Sequence, residues 1–486
     1  MEKLNRTSGI LMHITSLPNE YGWGTFSHSA FDFVDFLSDG GFGVWQVLPF
    51  AECLYGNSPY SSISSFAINP RFLDLTEFLN KDELVSLGLE NLSSFDDYNQ
   101  KADVAIETIC NKYFGIYDYS KFEKQNKYWL DDYALYKCIK KSQNDKPWFE
   151  WSLGLKNRVK LDIDNFKIAH AKEIEKIKFI QYLLNMQWQK IKSYANSKKI
   201  EIFGDIPFYV ELDSCDVWVN PKNWQLTDGK PKLVAGVPPD YFNSEGQLWG
   251  NPIYDFCAMA KNKYDFWVKR IKRQSELFDI IRIDHFIAFS RYWAIPYESQ
   301  TAKSGKWVKG VGNTLLKVIL DKCKVKIVAE DLGIVTKDVI ALKDKFEIPG
   351  LKVLEFAFDD IGDNMYQPHN YEKNCVAYLG THDNNTMMGM LNEGNWDKIN
   401  RFKKYLCMPL QESNDQVIEN SILALYKSSA NVVIFSTQDI LHLGQDSRMN
   451  VPGTKTGNWE WKLGGNLNRD MCAKFRDWAQ TYGRIK

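Results

Sequence analysis

The sequence predicts an α/β fold, a (β/α)8 TIM barrel, and three observations carry that prediction. Eight short runs of β-branched and other apolar residues recur along the chain, most bounded by Gly, Pro, Asp or Asn. Helical patterns separate several of them, and the runs are apolar at nearly every position rather than at alternate ones. Strands buried on both faces belong to a parallel sheet covered on both sides, and eight of them suggest a closed barrel. An open doubly wound sheet is the alternative built from the same parts.

The runs lie at 10–15, 44–48, 200–203, 280–283, 326–329, 352–356, 375–379 and 432–436. After the first, Phe31, Val34 and Leu37 recur at helical spacing in a segment that Ser29 is placed to cap and Gly40 and Gly41 to end. Before the third, Ile177, Ile180, Leu184, Trp188 and Ile191 line one face of a longer helix. About 150 residues separate the second run from the third and about 75 the third from the fourth, where a minimal βα unit needs roughly 30. The excess reads as insertions into a single catalytic barrel spanning 1–486. Residues 70–195 are expected as a largely helical, charged subdomain, and residues 207–260, rich in Pro, Gly, Asn and Trp, as an ordered active-site loop region. Both leave the C-terminal ends of strands, the face on which barrel active sites lie.

Composition narrows the function. The 486 residues are 44% hydrophobic and 25% charged, a globular balance. With 60 basic against 61 acidic side chains the net charge is -1, which argues against a nucleic-acid partner, because binding a polyanion needs a basic surface. No run approaches the roughly 18 apolar residues of a membrane span. Residues 1–17 lack the succession of a signal peptide, so a cytoplasmic protein is expected. The nine cysteines, none in a Cys-x-x-Cys pair, read as reduced thiols, and the seven histidines form no HExxH or HxH cluster, so no metal is expected. The 16 Trp, 24 Tyr and 29 Phe offer apolar faces with polar edges, which suit sugar rings as well as a bulky core.

Three carboxylates stand at the C-terminal ends of predicted strands. Asp284 closes Ile280-Ile-Arg-Ile-Asp-His285, Glu330 closes Val325-Lys-Ile-Val-Ala-Glu-Asp331, and Asp383 follows Tyr378-Leu-Gly-Thr-His-Asp383. Any one of them also reads as a helix cap or a structural ion pair. Three at one barrel face favour chemistry, since a carboxylate against a hydrophobic core carries a desolvation cost. Glycosyl transfer needs two carboxylates flanking an acetal carbon, one to attack the anomeric carbon or activate water there and one to protonate the departing oxygen. A third can stabilise oxocarbenium-like charge. Arg282, two residues before Asp284 and so on the same strand face, is placed to orient it, and His382 to donate to sugar hydroxyls.

Over nearly its whole length the sequence resembles the 4-α-glucanotransferases, known as amylomaltases or disproportionating enzymes, within the α-amylase clan. The carriers are Trp45-Gln-Val-Leu-Pro49, Ser58-Pro-Tyr60 with Ser65-Phe-Ala-Ile-Asn-Pro70, Gly204-Asp-Ile-Pro207, Asp216-Val-Trp218, Val234-Ala-Gly-Val-Pro-Pro-Asp-Tyr-Phe242, Gly246-Gln-Leu-Trp-Gly-Asn-Pro252, Arg282-Ile-Asp-His-Phe286, Ala329-Glu-Asp-Leu-Gly333, Val353-Leu-Glu-Phe-Ala-Phe358, Gly380-Thr-His-Asp-Asn384, and Arg448-Met-Asn-Val-Pro-Gly453 with Gly457-Asn-Trp459. The resemblance implies a retaining transfer without metal or organic cofactor. Asp284 would be the nucleophile, Glu330 the general acid and then base, and Asp383 the transition-state stabiliser. It also implies that Tyr60, Asp205, Gln247, Trp249, Arg282, His285, Asp331, Phe356, His382 and Asn458 line the sugar subsites. Ile287-Ala288-Phe289 stands where the family usually carries Arg-Gly-Phe, and Gly310-Val-Gly312 replaces its Gly-Pro-Gly.

The expected partners are α-1,4-glucans and maltooligosaccharides, with glucose as an acceptor, and the chain is expected as a monomer or weak homodimer. Residues 236–251, with their prolines, Tyr241 and Trp249, are expected to form a lid that excludes water. A clan hydrolase and a non-catalytic glucan-binding protein on the same fold are the competing readings.

Overall fold

A computed structural model describes residues 3–485 apart from 55, 240–243, 334, 360 and 455. The eight apolar runs supply one parallel sheet: β1 (Thr7–Leu11), β2 (Val44–Gln46), β3 (Glu201–Ile206), β4 (Ile280–Ile283), β5 (Lys326–Ala329), β6 (Gly350–Val353), β7 (Cys375–Tyr378) and β8 (Val432–Ser436). Their spatial order is β5-β4-β3-β2-β1-β8-β7-β6, the chain order of a (β/α)8 barrel. The ends meet at β5 and β6 without a full ladder. The Ala329 amide donates to the Pro349 carbonyl at 2.8 Å, and the Leu351 amide donates to the Asp331 carboxylate at 2.7 Å. A Cβ on Gly350 would lie 2.2 Å from Asp331 Oδ2, so the seam needs glycine there.

Successive side chains of a strand point to opposite faces, and here both faces are cores. Leu11, Val44, Phe203, Ile280, Val328, Leu351, Val376, Tyr378 and Ile434 pack together inside the barrel. Ile10, Trp45, Ile202, Ile281, Ile327, Ala377 and Val433 belong to the larger core between sheet and helices. The strands therefore read as continuously apolar.

The first barrel helix is His28–Asp39, ended by Gly40 with Gly41 at φ 73°. Its N-cap position is Ser27 rather than Ser29; the two hydroxyls lie 3.0 Å apart and bond to each other. Helix Ala171–Ser197 buries Ile180, Leu184, Trp188 and Ile191. The Trp188 ring lies 4.6 Å from that of Phe50, and its N–H donates to the Leu277 carbonyl at 2.9 Å. Losing such a buried indole costs about 3–5 kcal/mol.

β1 and β6 are the strands most offset from the apolar runs. β1 ends at Leu11 because Met12 makes the last bond to β2, its amide donating to the Gln46 carbonyl at 3.0 Å, and a 3-10 turn, Ile14–Ser16, follows. β6 gives way at Leu354 to the 3-10 turn Leu354–Phe358, which places Phe356 beyond the strand.

Between β2 and β3 lie the helices Lys81–Ser86, Phe95–Tyr113, Ser120–Ser142, Lys160–Ala169 and Ala171–Ser197. Within 207–260 the chain is more regular than a loop. Leu233–Val237 and Gln247–Pro252 pair with each other, and a four-stranded antiparallel sheet forms with Arg291–Pro296 and Lys306–Lys309 in the order 306–309, 291–296, 233–237, 247–252. The central partner comes from the next βα unit, so no local hairpin pattern announces it. Among the described residues no helix is long and apolar enough to cross a membrane.

Candidate active site

The inward alternation that fills the barrel continues upward into polar residues. On β3 Phe203 is followed by Asp205, on β4 Ile280 by Arg282 and then Asp284, and on β5 Val328 by Glu330. One strand face thus supplies first the core and then the chemistry, all at the C-terminal mouth.

Arg282 organises the first half of the site. Its Nη2 donates to Asp284 Oδ1 at 2.7 Å and its Nη1 to Asp205 Oδ2, so one guanidinium ties two carboxylates of adjacent strands. The Tyr60 hydroxyl donates to Asp205 Oδ2 at 2.7 Å and lies 2.9 Å from His382 Nε2, and His382 Nε2 lies 3.5 Å from Asp383 Oδ2. The Tyr60 and His382 rings stack, 5.4 Å apart. Asp284, Arg282, Asp205, Tyr60, His382 and Asp383 therefore form one polar chain across the barrel mouth. Burial opposes the charge on Arg282, but the facing carboxylates of Asp205 and Asp284 more than offset this and hold its pKa well above the usual range. Burial raises the pKa of Asp205, with the Arg282 charge acting against it.

Glu330 is set differently. Its carboxylate accepts from the His285 amide at 2.8 Å and the Leu332 amide at 2.9 Å. His285 can aim that amide because its backbone is left-handed, φ 51°, a conformation costing a non-glycine residue about 1–2 kcal/mol. Burial first, and then the Asp284 charge, push the Glu330 carboxyl up to about 8, against the pull of Arg282 and the two amides. A carboxyl so displaced starts as an acid at neutral pH, next to an aspartate in ion pair with arginine. Burial also lowers His285 to about 4 and His13, nearby, to about 3, so both imidazoles are neutral.

Asp383 is held from the following βα unit. Asn450 Nδ2 donates to its Oδ1 at 2.7 Å, and Arg448 Nη2 donates to its main-chain carbonyl at 2.7 Å while Arg448 Nε binds the Asn450 carbonyl at 2.7 Å. Trp459, whose amide donates to the Met449 carbonyl at 2.7 Å, places its ring 5.8 Å from both Tyr60 and His382. Arg448, Asn450 and Trp459 stand in the Arg448-to-Gly453 and Gly457-to-Trp459 motifs, yet nothing in a polar loop sequence assigns them to Asp383.

The other expected site residues divide. Trp249 packs its ring against His285, 4.7 Å away at 80°, and donates its N–H to Gln247 Oε1 at 3.0 Å, so these two stand at the edge of the site. Tyr241 lies outside the described residues. Asp331 is turned to the β5–β6 seam, buried against the Leu351 amide and 3.1 Å from Lys343 Nζ. Asn458 is buried and spends its amide on the loop, accepting from the Val451 amide at 2.8 Å and donating to Thr454 Oγ1 at 2.9 Å. Phe356 packs beside the inner barrel core with its ring 5.6 Å from Tyr366. None of these three joins the polar chain of the mouth. Among the described residues no group of three or more His, Cys, Asp or Glu side chains could hold a metal ion.

The family model described as 4-alpha-glucanotransferase matches residues 12–467. The 4-alpha-glucanotransferase of Clostridium butyricum is 40% identical over 493 residues, covering 98% of this chain and 100% of that protein. That of Thermus thermophilus is 36% identical, covering 99% and 100%. Among solved structures, an amylomaltase from Streptococcus agalactiae in complex with acarbose superposes with a TM-score of 0.93 at 34% identity, over 99% of this chain and 100% of that one. The order of carboxylate-bearing strands, the barrel beneath them and these full-length likenesses agree: the chain belongs to the 4-alpha-glucanotransferase family.

Proposed function

We propose that the barrel cleaves an α-1,4 bond of a maltooligosaccharide or starch chain and passes the glucosyl segment to the 4-hydroxyl of an acceptor glucan or glucose, with retention. The observation that carries this reading is the pairing of unlike carboxylates: Asp284 ion-paired to Arg282, beside Glu330 raised to about 8. Asp284 attacks the anomeric carbon while Glu330 gives its proton to the departing glycosidic oxygen, leaving a covalent glycosyl-enzyme. Glu330, now ionised, takes the proton of the incoming hydroxyl, whose oxygen displaces Asp284. Asp383, fixed by Asn450 and near His382, balances the positive charge developing on the sugar ring. Tyr60, Asp205, Arg282 and His382 hold the sugar that carries the reacting carbon. Trp249 and Gln247, at the edge beside His285, line the path of donor and acceptor chains. The protein acts as a monomer or weak homodimer. The nine unpaired cysteines fit a reducing compartment, the cytoplasm.

Incubating the protein with maltotriose and resolving products by chain length tests this. A ladder of longer maltooligosaccharides plus glucose is expected, and Asp284→Asn is expected to reduce its rate by roughly 10⁴-fold or more. Accumulation of glucose and maltose without longer products would assign the site to hydrolysis. An unchanged rate in the variant would remove Asp284 from the mechanism.

A further inference from the structure

The fold leaves the guanidinium of Arg291 without polar partners. Among the described residues it makes no hydrogen bond or ion pair, and its Nε is buried with no acceptor. What fixes it is the Trp307 indole, whose centroid lies 4.4 Å from Cζ and whose ring is held in turn by Trp293 at 5.3 Å. Stacking on an indole attracts the charge but offers its N–H groups no acceptor, and a charged donor withdrawn from water without one is costly.

Arg291 and Trp307 line a cavity of about 790 Å³, and the other charges in its lining deepen the imbalance. Lys309 pairs directly with Arg291 across the antiparallel strands Arg291–Pro296 and Lys306–Lys309. Directly opposed residues share a face, so two like charges stand side by side. Lys345 enters from helix Lys337–Lys345, its Nζ donating to Asn313 Oδ1 at 2.8 Å. Neither lysine has a carboxylate partner among the described residues. Asp338 is the single acid of the lining, and both its oxygens are engaged, Oδ2 by the Ser290 hydroxyl and Oδ1 by that of Thr336. Those hydroxyls first, with the Arg291 charge a smaller cause, hold its pKa below the ordinary value. Three cations thus face one carboxylate already in use.

The backbone adds donors of the same polarity. The loop Gly310-Val-Gly312 enters helix Gly312–Lys322, whose N-cap Val311 supplies no capping side chain and whose first turn carries no acid. The amides of Val311, Gly312 and Asn313, all in the cavity lining, have no acceptor among the described residues. Val311 stands where the family usually carries proline, so one of these N–H groups would be missing from the family's usual loop. The loop is pressed onto the segment that carries Arg291: the Gly310 amide donates to the Ser290 carbonyl at 2.7 Å, and a Cβ on Gly310 would lie 2.3 Å from the Phe289 carbonyl oxygen. A tetrahedral oxyanion has enough acceptor oxygens to meet a guanidinium, ammonium groups and helix amides together, whereas a neutral sugar would leave the like charges unopposed.

We propose that this cavity is a binding site for a phosphate group, held between the Arg291 guanidinium, the Lys309 and Lys345 ammonium groups and the amides of residues 311–313. The site is independent of the glucan-transfer reading, since none of its residues belongs to the polar chain of the catalytic mouth.

Titration calorimetry of the 486-residue chain with inorganic phosphate, at ionic strength held constant with sodium chloride, tests the site. One phosphate per chain is expected to bind. Arg291→Ala is expected to weaken it roughly 10–100-fold and Lys309→Ala roughly three- to tenfold. Asn313→Asp, which sets a carboxylate among the three cations, is expected to weaken phosphate roughly tenfold while raising the thermal midpoint of the phosphate-free protein by roughly one to two degrees. A residue with a packing role alone would not move these two readouts in opposite directions. Glucose 6-phosphate binding more tightly than inorganic phosphate, with the gain lost in Trp307→Ala, would make the ligand a phosphorylated sugar whose ring lies on the indole; equal or weaker binding would make it free phosphate. Both outcomes uphold the site. A wild type that takes up neither anion overturns the proposal, as does phosphate binding unchanged in Arg291→Ala. If that variant does not fold, unchanged binding in Lys309→Ala, whose side chain is exposed, overturns it instead.

Discussion

Asp284 and Asp383 sit at the same barrel mouth and are held in opposite ways. Asp284 follows directly on β4, and its partner Arg282 comes from the same strand face two residues earlier, clamped from the other side by Asp205 of β3. Asp383 follows β7 by several residues, and its partners Asn450 and Arg448 come from a segment beyond β8. The strand-borne aspartate is fixed as soon as the barrel closes, because β-sheet register alone brings Arg282, Asp205 and Asp284 together. The loop-borne one depends on a second segment folding onto it. A nucleophile must meet a carbon along a narrow line of attack, whereas a charge-stabilising group tolerates looser placement. The proposed division of labour, Asp284 as nucleophile and Asp383 as charge stabiliser, would follow that difference.

The comparison breaks most sharply at Arg282. A lysine keeps the charge but has one compact head where the guanidinium reaches Asp205 and Asp284 at once. Arg282→Lys is expected to lower kcat roughly 10²–10³-fold with a smaller change in KM, measured as initial rates on maltotriose. A loss of less than about tenfold would mean that strand register, without the fork, suffices to place Asp284.

Asn450 probes the loop side with a smaller effect. Asn450→Ala removes one hydrogen bond to a carboxylate, a contribution of about 1.5–3 kcal/mol, so kcat should fall roughly 10–100-fold, and Asn450→Asp should be worse because like charges would face each other. A positioning role further requires that the maltotriose KM stay near wild type and that the thermal midpoint move little. A variant whose stability falls as steeply as its rate would make Asn450 a fold residue instead.

The same contrast explains what was legible in the sequence. The strands were, because both faces of each are cores, and the period-2 step from Phe203 to Asp205 or from Ile280 through Arg282 to Asp284 carries the core pattern into the site. Glu330 and Asp331 show how far that rule reaches. They are neighbours, so alternation sends Glu330 inward with Val328 and Asp331 away to the seam beside Leu351 and Lys343, and expecting Asp331 to line a sugar subsite beside the catalytic Glu330 disregards it. Asn458, Arg448 and Asn450 have no such period. Their partners are set by how a loop returns to the barrel, which no local spacing encodes. The four-stranded sheet was hidden for a related reason: Leu233–Val237 finds its central partner, Arg291–Pro296, only after β4 has been made.

Glu330 gives the smallest effect and tests the electrostatics directly. Its folded carboxyl is raised from the ordinary 4.5 to about 8, so burial of its ionised form opposes folding. The sign follows from linkage. Below about pH 4.5 the carboxyl is protonated in both states and carries no penalty. The penalty grows as pH rises between 4.5 and 8, where the unfolded chain has lost the proton and the folded one keeps it, and is complete above 8. Glu330→Gln, inactive for want of the acid, should therefore melt higher than wild type at pH 8, on the order of a few degrees, and no higher at pH 4. If Glu330 is the general acid, the same group is expected to set a basic limb near pH 8 in kcat/KM. Asp284→Asn removes the charge that helps keep Glu330 protonated, so the carboxyl followed by NMR titration should move down while staying above 4.5, since burial remains the larger cause. If Asp284→Asn left the titration where it was, the two carboxyls would not be electrostatically coupled, and Glu330 would owe its raised pKa to burial without help from Asp284.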